Sequence, residues 1–331
     1  MATPSAAPND AAQVLRALVG SGRFRDALER YRELEAGPDG RRPDLQLVAA
    51  TAATRLGELA TGASLADEAL RQFRARGDWD GSMRALNLLG AIEWERGEMT
   101  AAESRFAEAL RFARQLGDSL MLARACNNLA SVAHLQGRAD EAAELFRGAL
   151  LAYQRLGDRR GTAETYHNLG LAYGQAGEWR EAEDAATDAV RHAEVVSEPR
   201  LLALALAGRA ELSIERDDPA LAQRELERAR RFATEAADEV GGAEVDRVRA
   251  LAALHQENWT LALEQADEAR RVALEYDSVL LAAECAGIAA RALRALGRVE
   301  EATERQAEAE AGFRRLGAAN LLARLEREWS A

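Results

Sequence analysis

The side chains best suited to bind a ligand are amides that fall at matching places in neighbouring stretches of the chain. Asn127 and Asn128 are adjacent, and Asn168 stands 40 residues after Asn128. An Asn side chain carries both hydrogen-bond donors and acceptors, so it can hold an extended peptide backbone whatever the peptide's sequence. The alternative is that these amides bond to a neighbouring helix and serve the packing of the fold.

Arginine and tryptophan supply the other chemistry of a peptide site. Arg84 and Arg124 are also 40 residues apart, and together they suit a carboxylate held by charge-assisted hydrogen bonds. Trp94 suits an apolar anchor, with a packing role as the alternative. Trp179 and Trp259 share one repeat position and are expected in the core, and the stripe Arg224, Arg228 and Arg231 is expected on a solvated face.

Catalytic and metal sites are not expected. His134 and His167 lie seven residues apart in register, or ~10 Å along a helix, too far to share a metal. The sequence contains no Cys-x-x-Cys, His-Glu-x-x-His or Gly-rich phosphate loop. The chain also has no Lys, which excludes a phosphate-binding loop lysine and a Schiff base. We therefore predict a protein that is not an enzyme and needs no cofactor.

Composition restricts the cellular compartment of the protein and the classes of partner that it can bind. The net charge of −12 makes the chain a poor binder of nucleic acid or of an anionic membrane. No targeting segment and no apolar window of ~18 residues is visible, so a cytoplasmic protein is predicted. The use of Arg alone as base indicates a GC-rich, bacterial genome. Cys126 and Cys285 lie about four repeats apart, which excludes an internal disulfide.

A period of 40 residues organises these residues into helices. Small residues recur at fixed places, as in the column Ala50, Gly90, Ala130, Gly170, Ala210, Ala250 and Ala290. Turn glycines such as Gly137 and Gly157 end the two helices of each unit, and the Asp after the second glycine caps the next helix. Each helix pair buries its apolar face only by stacking on its neighbours. The composition is rich in Ala, Leu, Glu and Arg, and it predicts an all-α protein.

The unit resembles the tetratricopeptide repeat (TPR). The matching residues in the best copies are Leu89-Gly90, Gly97, Ala102, Phe106 and Ala109; Leu129-Ala130, Gly137, Ala142, Phe146 and Ala149; and Leu169-Gly170, Tyr173, Gly177, Ala182 and Ala189. Its 40-residue length is similar to that in kinesin light chain and in bacterial peptide-pheromone receptors. Asp217 and Glu257 depart from the pattern by replacing the turn glycine.

The resemblance implies a right-handed α-solenoid, the TPR superhelix, with a concave groove lined by the first helix of each pair. We predict a disordered N-terminus (1–9), an imperfect helical pair and loop (10–42), seven repeats (43–317) and a C-terminal capping helix (318–331). The last helix is alternatively a dimerisation helix, which would give a homodimer through terminal helices.

The implied function is protein or peptide binding without catalysis. The leading hypothesis is a scaffold or adaptor, and the alternative is a peptide- or ligand-responsive sensor acting through a separate effector. Groove-side residues are also expected in later repeats, among them Glu211, Arg247, Arg291 and Arg294. The predicted binding site in repeats two to four consists of Arg84, Asn87, Trp94, Arg124, Asn127, Asn128, Ser131, His134, Glu164, His167 and Asn168.

Overall fold

The computed structural model describes residues 8–37 and 41–330, and it is built from α-helices. None of the described residues forms a strand, and none of the described helices is long and apolar enough to cross a bilayer. The helices are α1 (Pro8–Gly20), α2 (Phe24–Glu35), α3 (Pro43–Arg55), α4 (Leu59–Ala75), α5 (Trp79–Glu95), α6 (Met99–Leu116), α7 (Ser119–Leu135), α8 (Ala139–Leu156), α9 (Arg159–Ala176), α10 (Trp179–Val196), α11 (Pro199–Glu215), α12 (Pro219–Glu235), α13 (Glu239–His255), α14 (Trp259–Glu275), α15 (Val279–Ala295), α16 (Val299–Leu316) and α17 (Ala319–Ser330).

Helix boundaries follow the predicted turn chemistry. Gly157 ends α8 with a φ of 69°, in the left-handed region that glycine adopts without strain. The carboxylate of Asp158 then accepts a hydrogen bond from the backbone N–H of Gly161 at 2.9 Å and caps α9. Asp78 and Asp118 cap α5 and α7 in the same way. The Gly-Asp signal is therefore confirmed.

Later repeats keep the same turn without glycine. Asp217 and Glu257 have φ values of 60° and 58°, and Ala237 has a φ of 49°. A side chain in this region costs roughly 1–2 kcal/mol. The packing of the helix pairs therefore sets the turn geometry, even where the local sequence does not favour a positive φ.

Small and large side chains alternate in the helix interfaces as the columns predict. Ala102 and Ala109 are fully buried, and the ring of Phe106 fills the space beside Gly90. A Cβ at Gly90 would lie 2.6 Å from Phe106 Cε1, so this approach requires glycine. Phe146 packs in the same manner, in a cluster with Ala130, Ala142 and Leu169. Stacking of neighbouring pairs therefore buries the apolar faces of the helices within each unit.

The chain divides into two compact units. Unit 1 comprises residues 1–94 and 100–125, and unit 2 comprises residues 95–99 and 126–331. In unit 1, α1 and α2 pack on α3 through Leu15, Leu28, Tyr31 and Leu45. Helix α1 begins at Pro8, two residues before the predicted boundary at residue 10, so residues 8 and 9 are helical and the prediction of disorder was wrong for them. Residues 1–7 of the segment predicted to be disordered, and 38–40 of the predicted loop, lie outside the described residues.

In unit 2 the first helices of successive pairs form one layer. A single apolar cluster joins Ala163 of α9, Leu206 of α11, Val248 of α13 and Ile288 of α15. Helix α17 contacts both α11 and α15, which are the first and third of three consecutive helices in this layer. One helix reaches both only if the layer curves around it. The first helices therefore line the concave surface of unit 2, as the resemblance implies.

Candidate functional site

Two of the predicted amides meet on the concave surface of unit 2. Asn127 Oδ1 accepts a hydrogen bond from Asn168 Nδ2 at 3.4 Å. It also lies 3.2 Å from Thr165 Oγ1, whose single hydrogen is shared with the Gly161 carbonyl at 2.8 Å. Thr165 is buried, while both amides are half-buried. Asn127 lies on α7 and Asn168 on α9, so the contact joins the first helices of repeats three and four.

The pair retains hydrogen-bonding capacity. Asn127 Nδ2 carries two donors, and Asn168 Oδ1 is an acceptor. Neither atom has a hydrogen-bond partner among the described residues. The packing alternative explains the hydrogen bond between the two amides. It leaves Asn127 Nδ2 as a donor and Asn168 Oδ1 as an acceptor for a ligand.

The remaining predicted residues of repeat three differ in their surroundings. Ser131 donates to the backbone carbonyl of Asn127 at 3.2 Å, so its hydroxyl is engaged within α7. Asn128 is half-buried and takes part in further interactions. Burial lowers the pKa of His134, which keeps its ring neutral at pH 7.

His167 connects repeat four to the next repeat. Its ring lies over Gly208 of α11, where a Cβ would come within 2.5 Å of His167 Nδ1. Burial lowers the pKa of His167 to about 4; Glu211 opposes this effect and Arg247 adds to it. His167 is therefore neutral at pH 7. Glu164, one turn earlier on α9, pairs at 3.0 Å with Arg160 of its own helix.

A charged cluster occupies the concave surface of repeats five to seven. Arg247 of α13 lies 2.7 Å from Glu211 of α11 and 3.3 Å from Glu284 of α15. It also lies 3.1 Å from Glu244, one turn away on its own helix. Although burial alone would raise it, Arg247 holds the pKa of Glu211 below its usual value. Glu211 is thus the ionised partner of Arg247.

Glu284 behaves in the opposite way. Burial raises the pKa of Glu284 to about 7, and Glu244 and Glu211 add to this effect while Arg247 and Arg324 oppose it. One guanidinium cannot neutralise three carboxylates, so one of them retains its proton more readily. The predicted site placed the main chemistry in repeats two to four, and it omitted Glu284. The signal was present, because Arg84, Arg124, Glu164, Glu244 and Glu284 share one repeat position.

Helix α17 lies against this charged cluster. Glu328 pairs with Arg291 of α15 at 3.0 Å, and Arg324 pairs with Glu215 of α11. The guanidinium of Arg294 stacks on the ring of Trp329, 5.2 Å from its centroid. The apolar side of α17 packs against its own chain, which favours the predicted cap over a dimerisation helix.

The predicted residues of repeat two and Arg124 belong to unit 1. Arg84 is exposed and pairs with Asp80 at 3.2 Å on its own helix. Arg124 is exposed and contacts the thioether of Met121, with no carboxylate partner among the described residues. Asn87 and Trp94 are half-buried. A ligand carboxylate shared by the two arginines would compete with Asp80 for Arg84.

One expectation about the core was wrong. Trp179 is 38% exposed, because its ring forms one wall of an open cavity of about 400 Å³ with Leu212 and Arg216 and the following repeat does not cover it. Trp259, at the same repeat position, packs against the core. Arg224 and Arg231 are exposed as expected, whereas Arg228 pairs with Glu194 at 2.8 Å.

Metal-binding geometry is absent from residues 8–37 and 41–330. No group of three His, Cys, Asp or Glu side chains in this part of the chain is arranged to hold a metal ion. Both cysteines are buried, and they form no disulfide. Burial raises the pKa of the Cys285 thiol well above its usual range, which makes it a poor nucleophile.

Comparison with known proteins agrees with this architecture. Two models of the tetratricopeptide repeat match residues 15–75 and 121–194. A search of curated protein sequences found no match to the chain. The helix pairs and their turns define an α-solenoid. The chain thus contains tetratricopeptide repeats of the 40-residue type, and it is similar in fold to peptide-pheromone receptors.

Solved structures show the same fold at low sequence identity. One is a Rap protein complexed with competence and sporulation factor, with 13% identity, a TM-score of 0.66 and coverage of 98% of this chain and 97% of that chain. Another is the Rap conjugation gene regulator of plasmid pLS20 in complex with a Phr peptide, at 15% identity, a TM-score of 0.69 and coverage of 83% and 74%. A third is aspartyl phosphate phosphatase F from Bacillus subtilis, at 10% identity, a TM-score of 0.64 and coverage of 94% and 96%.

Proposed function

We propose that this protein is a non-catalytic scaffold or adaptor that binds an extended peptide or protein segment on its concave surface. The observation that carries the proposal is the amide pair of Asn127 and Asn168. It joins two repeats and still presents donors and an acceptor. A peptide backbone offers a carbonyl and an N–H at every residue, which is the complementary set.

The amide pair would act on the backbone, and its neighbours on side chains. Asn127 Nδ2 donates to a peptide carbonyl, and Asn168 Oδ1 accepts from a peptide N–H. Each such hydrogen bond contributes about 1 kcal/mol. Asn128, His134 and Glu164 surround the pair on the same face. Affinity beyond the micromolar range therefore requires side-chain contacts with these residues.

Unit 1 offers a second set of contacts for the same class of ligand. Arg124 has an exposed guanidinium without a carboxylate partner among the described residues, which suits an acidic side chain or a terminal carboxylate. Arg84 would join it by exchanging Asp80 for the ligand. Trp94 and Asn87 are the remaining proposed contacts of this unit.

The comparisons support the ligand class. Two of the similar structures are complexes, one with competence and sporulation factor and the other with a Phr peptide. Those ligands belong to those proteins, and at 13% and 15% identity the likeness extends to the fold. It supports a peptide as the ligand of this chain without naming its sequence.

Alanine substitution tests the amide pair directly. The double variant Asn127→Ala, Asn168→Ala is compared with the wild type by capture of partners from the native cell lysate. A peptide of the captured segment is then titrated against both proteins. We expect at least a tenfold loss of affinity, because two backbone hydrogen bonds are lost.

Two further variants separate binding from packing. Thr165→Val removes the hydroxyl that supports Asn127 but leaves both amides, so it tests the packing role alone. Gln223→Ala, on the exposed face of α12, is the neutral control. Unchanged capture by the double variant, with the melting temperature preserved, would contradict the proposal.

A sensor is the second candidate, and one comparison favours it. The pLS20 protein is described as a gene regulator in complex with a peptide. In this case ligand binding changes the shape of the solenoid, and a separate effector reads the change. Small-angle scattering with and without the captured peptide distinguishes the two: compaction supports the sensor, and an unchanged profile supports the scaffold.

The proposal also covers the excluded partners, the cellular compartment and the absence of catalysis. The net charge of −12 argues against nucleic acid and anionic membranes as partners. Two cysteines that form no disulfide suit the reducing cytoplasm of a bacterial cell. Catalysis forms no part of the proposal, although one similar structure is named a phosphatase. Its 10% identity extends to the fold alone.

A further inference from the structure

Helix α17 is bound to the concave surface of unit 2 at three separate places. At its start, Asn320 lies against the α7–α8 turn, where a Cβ at Gly137 would meet Asn320 Oδ1 at 2.7 Å. In its middle, Arg324 pairs with Glu215 at the end of α11. At its end, Glu328 pairs with Arg291 of α15. The helix therefore contacts repeats three, five and seven.

This arrangement exceeds what an end cap requires. A cap covers the apolar face of the last pair, here α15 and α16, with apolar side chains. Helix α17 does this through Leu325, but it also reaches a residue 109 positions earlier through Arg324 and Glu215. The ion pairs lie on the ligand-facing side of the first helices. Helix α17 thus occupies the concave surface of repeats five to seven.

Repeat seven leaves space for a leucine of this helix at Gly287. A Cβ at Gly287 would lie 3.1 Å from Leu325 Cδ1, so the glycine makes room for the leucine. The same repeat position is Asn127, His167 and Arg247 in repeats three, four and six. Those side chains project from the first helix toward the concave surface. Their absence at Gly287 lets α17 approach closely.

We propose that the concave surface of repeats five to seven is a helix-binding surface, which α17 occupies within the chain and which an external amphipathic helix takes by displacing α17. The external helix is defined by the chemistry of α17. It has two leucines four residues apart, an Arg directly before the second leucine, and a Glu four residues after that Arg. Glu215 and Arg291 recognise the two charges, and Gly287 accepts the second leucine. This surface is separate from the amide pair of repeats three and four.

The contacts of α17 suit displacement. The helix has 12 residues, whereas α3 to α16 have 13 to 18, and a helix this short is marginal on its own. Leu325 is buried, but Leu321 and Leu322 are half-buried. Arg324, Glu215, Arg291 and Glu328 each keep about a third of their side-chain surface exposed. Partly exposed ion pairs contribute little net stability yet discriminate strongly between partners.

A labelled peptide with the sequence of residues 318–331 tests the proposal on the full chain. The variant Arg324→Ala, Glu328→Ala weakens the internal helix and leaves the surface intact. We expect it to bind the peptide about tenfold more tightly than the wild type, because less of the protein is occupied by its own helix. Arg327→Ala, on the exposed side of α17, is the matched control and should bind like the wild type.

Hydrogen exchange on the wild-type chain provides a second measurement that does not depend on a variant. Excess peptide should remove the protection of the α17 amides and leave that of α13 and α15 unchanged. A charge swap fixes the location: Glu215→Arg weakens the internal helix and the unmodified peptide alike, so a peptide carrying Arg324→Glu should bind Glu215→Arg more tightly than the unmodified peptide does.

The outcomes are decisive for this surface alone. If the double variant binds the peptide no better than the wild type, and α17 stays protected in excess peptide, α17 is a fixed cap and the proposal is wrong. That result leaves the amide pair untouched, because neither Asn127 nor Asn168 enters these experiments. Loss of capture in the amide variants, conversely, says nothing of α17.

Discussion

Arg247 Nη2 lies 2.7 Å from Glu211 Oε2, across the interface between the first helices of repeats six and five. The same guanidinium also faces Glu244 and Glu284, so one cation serves three carboxylates. Its side chain is 11% exposed, and the charge is therefore largely removed from water. The guanidinium of Arg247 therefore links three helices of the concave surface, α11, α13 and α15.

Replacing Arg247 with Met should destabilise the protein severely. The substitution keeps the length of the side chain but leaves Glu211 and Glu284 without their cation in a poorly solvated site. Breaking a buried pair in this way costs about 3–5 kcal/mol. Urea unfolding followed by circular dichroism measures the loss as a change in the free energy of unfolding.

Arg249→Met is the matched control for this substitution. Arg249 lies on the same helix and pairs with Asp246 at 3.2 Å, but its side chain is 41% exposed. An exposed pair of this kind contributes less than about 1 kcal/mol. Equal losses in the two variants would show that the Arg247 cluster has no special role.

Glu284→Gln should change how stability depends on pH. The folded-state pKa of Glu284 is about 7, whereas the unfolded carboxyl titrates at 4.5. Between these values the folded state holds a proton that the unfolded state has lost, so stability falls as pH rises. The stabilising contribution is fully present below pH 4.5 and is lost above pH 7. Gln is neutral throughout and should remove this slope.

The groups that set this pKa lie on every helix around Glu284. They are Arg247 and Glu244 on α13, Glu211 on α11 and Arg324 on α17. We expect Glu284→Gln to be more stable than the wild type at pH 8 and of similar stability at pH 5. A difference between the two proteins that does not vary from pH 5 to pH 8 would contradict the assignment.

The sequence was sufficient to predict the repeat and its turns. The column of small residues through Ala130 and Gly170 specifies close helix contacts, and the residues at 157 and 158 specify one helix end and the next cap. These are local signals, set by residues within one turn of each other. The 40-residue period then extends them along the chain, which is why the all-α solenoid was predicted correctly.

The position of α17 against the earlier repeats could not be predicted from such local signals. The pairing of Arg324 with Glu215 depends on how far the solenoid curves over several repeats, and small rotations between pairs accumulate to set that curvature. The amphipathic pattern of α17 is visible in the residues alone, whereas its register against α11 is not. The exposure of Trp179 has a similar origin, since it depends on whether the following repeat closes over it.

Ala237→Gly should stabilise the protein. Ala237 has a φ of 49°, whereas Gly77, Gly117 and Gly157 hold the equivalent turns at φ values of 66° to 70°. Relief of the left-handed strain contributes roughly 1 kcal/mol, less the entropy that glycine loses on folding. Thermal unfolding should show a higher melting temperature. The reverse change, Gly157→Ala, should lower it, and two changes of the same sign would contradict the strain argument.

His167→Gln should expose a pH dependence that the wild type conceals. The folded-state pKa of His167 is about 4 and its ordinary value is 6.5, so between these values the unfolded state alone binds the proton. Stability from this residue therefore rises with pH over that window and is lost as pH falls toward 4. Glu284 has the opposite slope from pH 4.5 to 7, and the two effects offset each other from about pH 4.5 to 6.5. In His167→Gln the Glu284 slope remains alone, so the stability of the variant relative to the wild type should fall as pH rises from 4.5 to 6.5. Urea unfolding at half-unit intervals of pH measures this difference, and a difference that stays constant across the window would show that His167 titrates normally in the folded protein.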